Sequence, residues 1–196
     1  MTKFFNHNTF IINQKVNFLK MANEYEVLDE NALPIGKIKQ RLSGGAAILR
    51  LFLNKAMLPF KLEIVDVNEQ VQATISRGFT FFMSKIAVTM PDGSAPFYIK
   101  QKFTFLKSSF HIIDQSGQKV GEIAGDWKAW NFSITDMSGS EIGRVNKQWA
   151  GALKELFTTA DKYMVTLDRS EMEYHKKVAI VSAAITIDMV LKERKN

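Results

Sequence analysis

The chain has 196 residues, enough for one domain with a large core, and its 46% hydrophobic and 23% charged content excludes whole-chain disorder. The absence of cysteine excludes disulfides, thiolate metal sites, catalytic thiols and palmitoylation, and suits a reducing compartment. The formal net charge of +6 favours anionic partners over cationic ones.

The opening residues, MTKFFNHNTFIINQK, lack the long apolar core and small-residue cleavage site of a secretory signal. Within them FIINQKV reads as a strand. From Tyr25, YEVLDENALPIGKI sets a pattern that returns without gaps as LEIVDVNEQVQATI from Leu62, FHIIDQSGQKVGEI from Phe110 and FSITDMSGSEIGRV from Phe132. Each unit opens with apolar residues two positions apart, which is the strand period. Each then reaches an aspartate at its fifth place, Asp29, Asp66, Asp114 or Asp136. An aspartate there bonds its own backbone two residues on and starts a turn. Gly117 and Gly139 follow three places later in two copies, where a left-handed conformation is needed. Gly36, Gly121 and Gly143 stand at the twelfth place of three. The repeated aspartates are therefore turn formers and the unit is a β-hairpin. KIAVTMPDGSAPFYIK, with its Pro-Asp-Gly turn, and a segment opening YMVTLD at Tyr163 are weaker copies.

Helical segments interrupt the strands. AAILRLFLNKAML, from Ala46, follows Ser43 and a Gly-Gly pair, and WAGALKELF, from Trp149, is shorter. No Pro-, Ser- or Gly-rich linker divides the chain, so residues 1–196 are expected to form a single domain.

The most apolar run is KVAIVSAAITIDMVL. As a helix, the stretch Val178 to Leu191 is about 21 Å long at about 1.5 Å per residue, shorter than the roughly 30 Å hydrocarbon of a bilayer. It also contains Asp188. A strand of this length would be unusual, so a buried helix is expected, built on Val178, Ile180, Val181, Ile185, Ile187 and Met189. A helix apolar all round must be covered on every side. A single sheet covers one face, whereas a closed barrel covers all, and one of more than eight strands is wide enough to hold a helix. Six hairpin-like units supply roughly twelve strands. The fold expected from these residues is mainly β: a closed antiparallel β-barrel of roughly twelve strands around a buried C-terminal helix.

GEIAGDWKAWNFSITD, IGRVNKQWAG, ELFTTADKY and the final apolar helix with its TIDM segment occur in an order and spacing that resembles the phospholipid scramblase family and its relative, the LURP-one-related family. The resemblance covers nearly the whole chain. It implies the tubby C-terminal-like fold, a closed barrel around a C-terminal helix. It also implies movement of phospholipids between leaflets. Scramblases carry a calcium loop opening Phe-Thr-Asp-Ala-Asp. Here those places hold Phe157, Thr158, Thr159, Ala160 and Asp161, and the last loop position falls on Ser170. Asp161 matches an acidic ligand directly, and Asp168 enters only with a shifted alignment. Calcium takes 6–8 oxygen ligands, so this degenerate pair is not expected to hold it tightly. No other cofactor is implied.

Nothing in the chain announces an enzyme. His7, His111 and His175 lack metal-ligand spacing, and there is no nucleophile elbow, P-loop or dinucleotide fingerprint. No nucleic-acid motif accompanies the basic charge, so nucleic acid is not an expected partner. Three stretches instead place apolar side chains between cations. RLFLNK sets Phe52 between Arg50 and Lys55, and RGFTFFMSK sets Phe81 and Phe82 between Arg77 and Lys85. KQKFTFLK sets Phe103 and Phe105 beside Lys102. An anionic phospholipid surface attracts such stretches by partial insertion and by charge. The expectation is a non-enzymatic, scramblase-like protein acting on or at membrane phospholipids, cytoplasmic and peripheral at the inner membrane face. The alternative is a soluble interaction module that binds a protein or a small apolar ligand without touching membrane.

Overall fold

The computed structural model describes residues 4–15, 24–41, 58–79, 85–94, 97–103, 108–126, 128–147, 162–168 and 172–193. The helices expected from Ala46 and from Trp149 fall outside these residues. Twelve strands form one closed antiparallel barrel. In chain order they are β1 (Thr9–Lys15), β2 (Glu24–Leu28), β3 (Pro34–Arg41), β4 (Phe60–Asp66), β5 (Val71–Arg77) and β6 (Lys85–Thr89). β7 (Phe97–Phe103), β8 (Ser108–Asp114), β9 (Lys119–Asp126), β10 (Asn131–Thr135), β11 (Glu141–Asn146) and β12 (Lys162–Leu167) complete the wall. Each strand pairs with its chain neighbours, and β1 closes the ring on β12 with Thr9 opposite Thr166 and Asn13 opposite Lys162.

The four aligned repeats are the hairpins β2–β3, β4–β5, β8–β9 and β10–β11, and the Pro-Asp-Gly copy is β6–β7. Their turns are built alike. The residue that opens each turn, Asp29, Asp66, Met90, Asp114 or Asp136, accepts a bond from the N–H three residues on and donates to the carbonyl four residues on. The residue three places on has positive φ in all five: Ala32, Glu69, Gly93, Gly117 and Gly139. This is a tight turn followed by a left-handed residue and a bulge, a common short hairpin loop. The aspartates hold it from the side. Asp66 Oδ1 accepts from Asn68 N at 2.9 Å and Gln70 N at 3.0 Å, and Asp29 Oδ1 accepts from Asn31 N and Leu33 N at 2.9 Å each. The sixth copy differs. Among the described residues only its first strand, β12, forms, and β1, from the start of the sequence, pairs with it.

The C-terminal helix α1 runs Tyr174–Glu193 and fills the barrel. Every residue from Lys177 to Val190 is buried. Inward-facing wall residues such as Phe10, Ile38, Leu62, Ile75, Ile99, Phe110, Phe132 and Val165 form one core with it. Alternation along the strands separates this lining from the outer wall, as in β12, where Tyr163, Val165 and Leu167 are buried and the residues between them are half-buried. The helix was expected to start near Val178. It begins earlier because Tyr174 is anchored at the barrel mouth, its ring edge-on to Phe5 at 5.9 Å. Phe5 belongs to a short 3₁₀ turn, Phe4–Asn6, whose two phenylalanines are buried and close that mouth. None of the described helices is long and apolar enough to cross a membrane.

Candidate lipid-facing rim

Strand polarity gives the barrel two different rims. The five tight hairpin turns and the start of α1 share one, the turn rim. The connections of residues 16–23, 42–59, 78–84, 104–107, 127–130 and 147–161 join strands at the other, the loop rim, where α1 ends. All three phenylalanine-and-cation stretches thus connect strands at the same rim. Charge follows the same division. The hairpin turns carry Asp29, Glu30, Asp66, Glu69, Asp92, Asp114 and Asp136 and no cation. Among the described residues the loop-rim connections carry Lys128 and Lys147 and no carboxylate.

Of the residues expected to meet lipid, Arg50, Phe52, Lys55, Phe81, Phe82 and Phe105 lie outside the described residues, as does Asp161. Phe103 is the last residue of β7. Lys85 and Lys102 are exposed on the outer wall next to the loop rim. Phe79, in the same stretch as Phe81, is 57% exposed. Arg77 departs from its expected place. It is 3% exposed, with Nη2 donating to the Leu58 carbonyl at 2.7 Å and the guanidinium stacked over the Phe60 ring at 4.7 Å. The reason is the strand period: Arg77 shares the inward face of β5 with Ala73 and Ile75. It ties the entry of β4 to the exit of β5 and does not present charge to a bilayer. Asp168 is exposed at the end of β12 on the turn rim, with its N–H donating to the Ile142 carbonyl. Val178, Ile180, Val181, Ile185, Ile187 and Met189 are each 5% exposed or less, inside the barrel.

The pairing of strands assembles a row that the linear sequence conceals. Lys85 on β6 faces Lys100 on β7, and Lys100 faces His111 on β8. Lys102 lies two residues along β7 on the same outer face. The Lys85 ammonium sits 3.7 Å above the Tyr98 ring. Among the described residues no carboxylate forms an ion pair with Lys85, Lys100 or Lys102. The nearest acid in the row, Glu122 on β9, is engaged by Lys119 and lies 3.6 Å from His111 Nε2. Burial pushes the Glu122 pKa up, but the Lys119 hydrogen bond and the charges of Lys119, His111 and Lys102 outweigh it and hold the carboxyl below its usual range. His111 is moved below the ordinary imidazole value, mainly by burial, with Lys119 and Lys102 acting in the same direction against Glu122.

The loop rim is also sealed from within. Trp130, 8% exposed, stacks edge-on to Phe132 and beside Tyr163, with the Lys147 ammonium 4.3 Å over its ring. The Tyr163 hydroxyl is fully enclosed, and burial, with the nearby Asp188 and Tyr25, raises its pKa well above the phenol value. At the turn rim, His7 Nδ1 lies 3.6 Å from a Glu30 carboxylate oxygen, and Asp29 completes a group with ligand atoms within 4.8 Å of one another. Sequence spacing gave no hint of this group, because the 3₁₀ turn brings His7 across to the β2–β3 turn.

Comparisons with known proteins agree with this architecture. A family model described as Scramblase matches residues 1–194. The Saccharomyces cerevisiae protein named Altered inheritance rate of mitochondria protein 25 is 29% identical over 137 residues. That match covers 66% of this chain and 39% of the yeast protein, so the chain spans about two-fifths of that relative's length. A solved structure of an Arabidopsis thaliana protein with the tubby-like fold superimposes with a TM-score of 0.53 at 8% identity. It covers 92% of this chain and 91% of that one, and so supports the fold alone.

Proposed function

Because the chain belongs to the Scramblase family, we propose that it is a non-enzymatic domain that docks its loop rim on an anionic bilayer and acts on phospholipids there. The observation that carries this reading is the axial asymmetry of the barrel. Acidic hairpin turns lie at one end, and the cation-flanked phenylalanine stretches connect strands at the other. An anionic surface repels the first end and attracts the second, at about 1 kcal/mol for each lysine or arginine near the surface. Exposed Phe79 adds an apolar contact of the kind that inserts at the headgroup boundary.

The helix occupies the barrel with buried residues from Lys177 to Val190. A lipid path through the lumen would require expelling it, so this reading places any exchange of phospholipid between leaflets on the outside of the barrel, at the docked rim. The absence of native cysteine makes the test direct. Phe79→Cys and Met137→Cys each accept one spin label, at the loop rim and the turn rim. With vesicles of phosphatidylcholine and phosphatidylserine, the label at 79 is expected to enter the bilayer and the label at 137 to stay in water. Equal aqueous exposure of both labels on bound protein would refute the orientation. Scrambling itself is read from dithionite bleaching of a fluorescent lipid in the same vesicles.

Exposed apolar side chains also occur at the turn rim, with Leu33 60%, Val67 63% and Met137 63% exposed. These favour a protein partner at the end turned away from the bilayer.

A further inference from the structure

The outer wall beside the loop rim carries its own charge feature. Like charges directly opposite each other across a sheet destabilise it, yet Lys85 and Lys100 are paired in that way. Lys102 adds a third ammonium about 7 Å along the same strand, given roughly 3.3 Å of rise per residue. His111 borders Lys100 on the far side. Elsewhere on the wall, lysines have acidic partners: Lys37 and Lys39 with Glu69, and Lys61 with Glu63. The β6–β8 row is different. Its one neighbouring acid is already occupied by Lys119, so the field of the three ammoniums is left to an anion from outside.

We infer that Lys85, Lys100 and Lys102, flanked by Tyr98 and His111, form a docking face for the phosphates of anionic lipid headgroups. This rests on the membrane-docking reading above and deepens it. The barrel meets the bilayer tilted, with the β6–β8 wall leaning into the headgroup layer, and not upright on its rim. Three features fit that occupant. The lysine stems are long enough to reach phosphates while the wall itself stays in the interface. Tyr98, under the Lys85 ammonium, is a side chain suited to headgroup depth. The row also lies next to exposed Phe79: Arg77 pairs with Ile86, so Phe79 and Lys85 leave the barrel at the same hairpin end. Charge and apolar contact therefore act on the same patch of membrane.

The test uses the full chain and co-sedimentation with vesicles of phosphatidylcholine containing phosphatidylserine, at low and high salt. Lys100→Glu with Lys102→Glu is compared with Lys37→Glu with Lys39→Glu. Both double variants change the net charge equally, and the second acts on a wall four strands away. The first pair is expected to weaken binding by about tenfold or more, since each reversal removes an attraction and adds a repulsion. The second pair is expected to weaken it by about twofold or less. Equal losses in both would overturn the docking face and leave the membrane reading standing. No binding by the unaltered protein at low salt would remove both. Circular dichroism and a Tm for each variant separate lost binding from lost fold. Lys100→Gln with Lys102→Gln, a milder change, is expected to give an intermediate loss.

Discussion

Lys177 donates from Nζ to the Asn8 side-chain oxygen at 2.8 Å, joining residues 169 positions apart. The same ammonium donates to the His7 carbonyl at 3.1 Å. Lys177 is 4% exposed, at the point where the helix enters the barrel beside the first strand. This contact fastens the two ends of the chain together where the ring closes. Lys177→Ala should therefore cost about 2–3 kcal/mol, from two charge-assisted bonds less the cost of burying the charge. Lys177→Met, which keeps the apolar stem, should recover part of that loss, and chemical denaturation measures both. Burial holds the Lys177 pKa below 10.5. Between the folded value and 10.5 the unfolded chain keeps a proton that the folded protein has released, so this group adds stability as pH rises through that window. In the Met variant that alkaline gain should be absent.

The turn geometry predicts opposite signs for mirror-image substitutions. Ala32 sits at φ 61°, at the place where Gly93, Gly117 and Gly139 stand in other hairpins. A left-handed residue with a Cβ costs roughly 1–2 kcal/mol, and glycine returns part of that as unfolded-chain entropy. Ala32→Gly should stabilise by up to about 1 kcal/mol, and Gly139→Ala should destabilise by about 1 kcal/mol. Thermal melts of the two variants test the pair. A loss of stability in Ala32→Gly would mean that its contact with Ile11 and Leu28 outweighs the strain.

The twelfth position of the repeat predicts another contrast. A Cβ on Gly143 would lie 2.3 Å from the Thr166 carbonyl oxygen, and one on Gly36 would lie 2.1 Å from that of Val65. Both obstacles are backbone of the adjacent strand. Gly143→Ala must open the barrel ladder locally and should cost about 3 kcal/mol, the upper range of overpacking. Ala73 holds the same place in the repeat and is fully buried. Ala73→Gly should cost only about 1 kcal/mol, from chain entropy and a lost methyl. Denaturant midpoints for the two variants measure the difference.

Much of this fold was legible because its information is local. Asp29, Asp66, Asp114 and Asp136 each bond their own turn, so four hairpins could be read from fourteen residues at a time. The helix was legible because an unbroken apolar run from Val178 has only an enclosed place to go. Long-range pairing was less legible. Nothing near Tyr163 announces that its strand completes a hairpin with the start of the chain. Arg77 read as a surface cation because its neighbours in sequence are phenylalanines, yet the two-residue period of β5 turns it inward. The row Lys85–Lys100–His111 joins residues from three strands, and only the register sets them side by side. Lys85 and Lys102 were visible as charges flanking phenylalanines. Lys100 opened the same KQKFTFLK stretch as Lys102, whereas His111 carried no such signal.

His111 gives that row a dependence on pH. Lys100 faces it from β7, Lys102 lies further along β7, and Lys119 and Glu122 approach from β9. Its pKa lies below 6.5, chiefly through burial, so the folded protein resists a proton that the unfolded chain accepts. As pH falls below 6.5 through the folded value, this group withdraws stability. An anionic vesicle surface has the reverse effect, because phosphates beside the imidazole favour its charged form. Vesicle binding should therefore strengthen as pH drops from 7 towards 5, over the range where free protein loses a little stability. His111→Gln should flatten both curves together, measured by co-sedimentation and by denaturation across the same pH series. If the variant's binding still rises as steeply as that of the unaltered protein, the pH response belongs to the vesicle surface or to other groups, and His111 has no part in it.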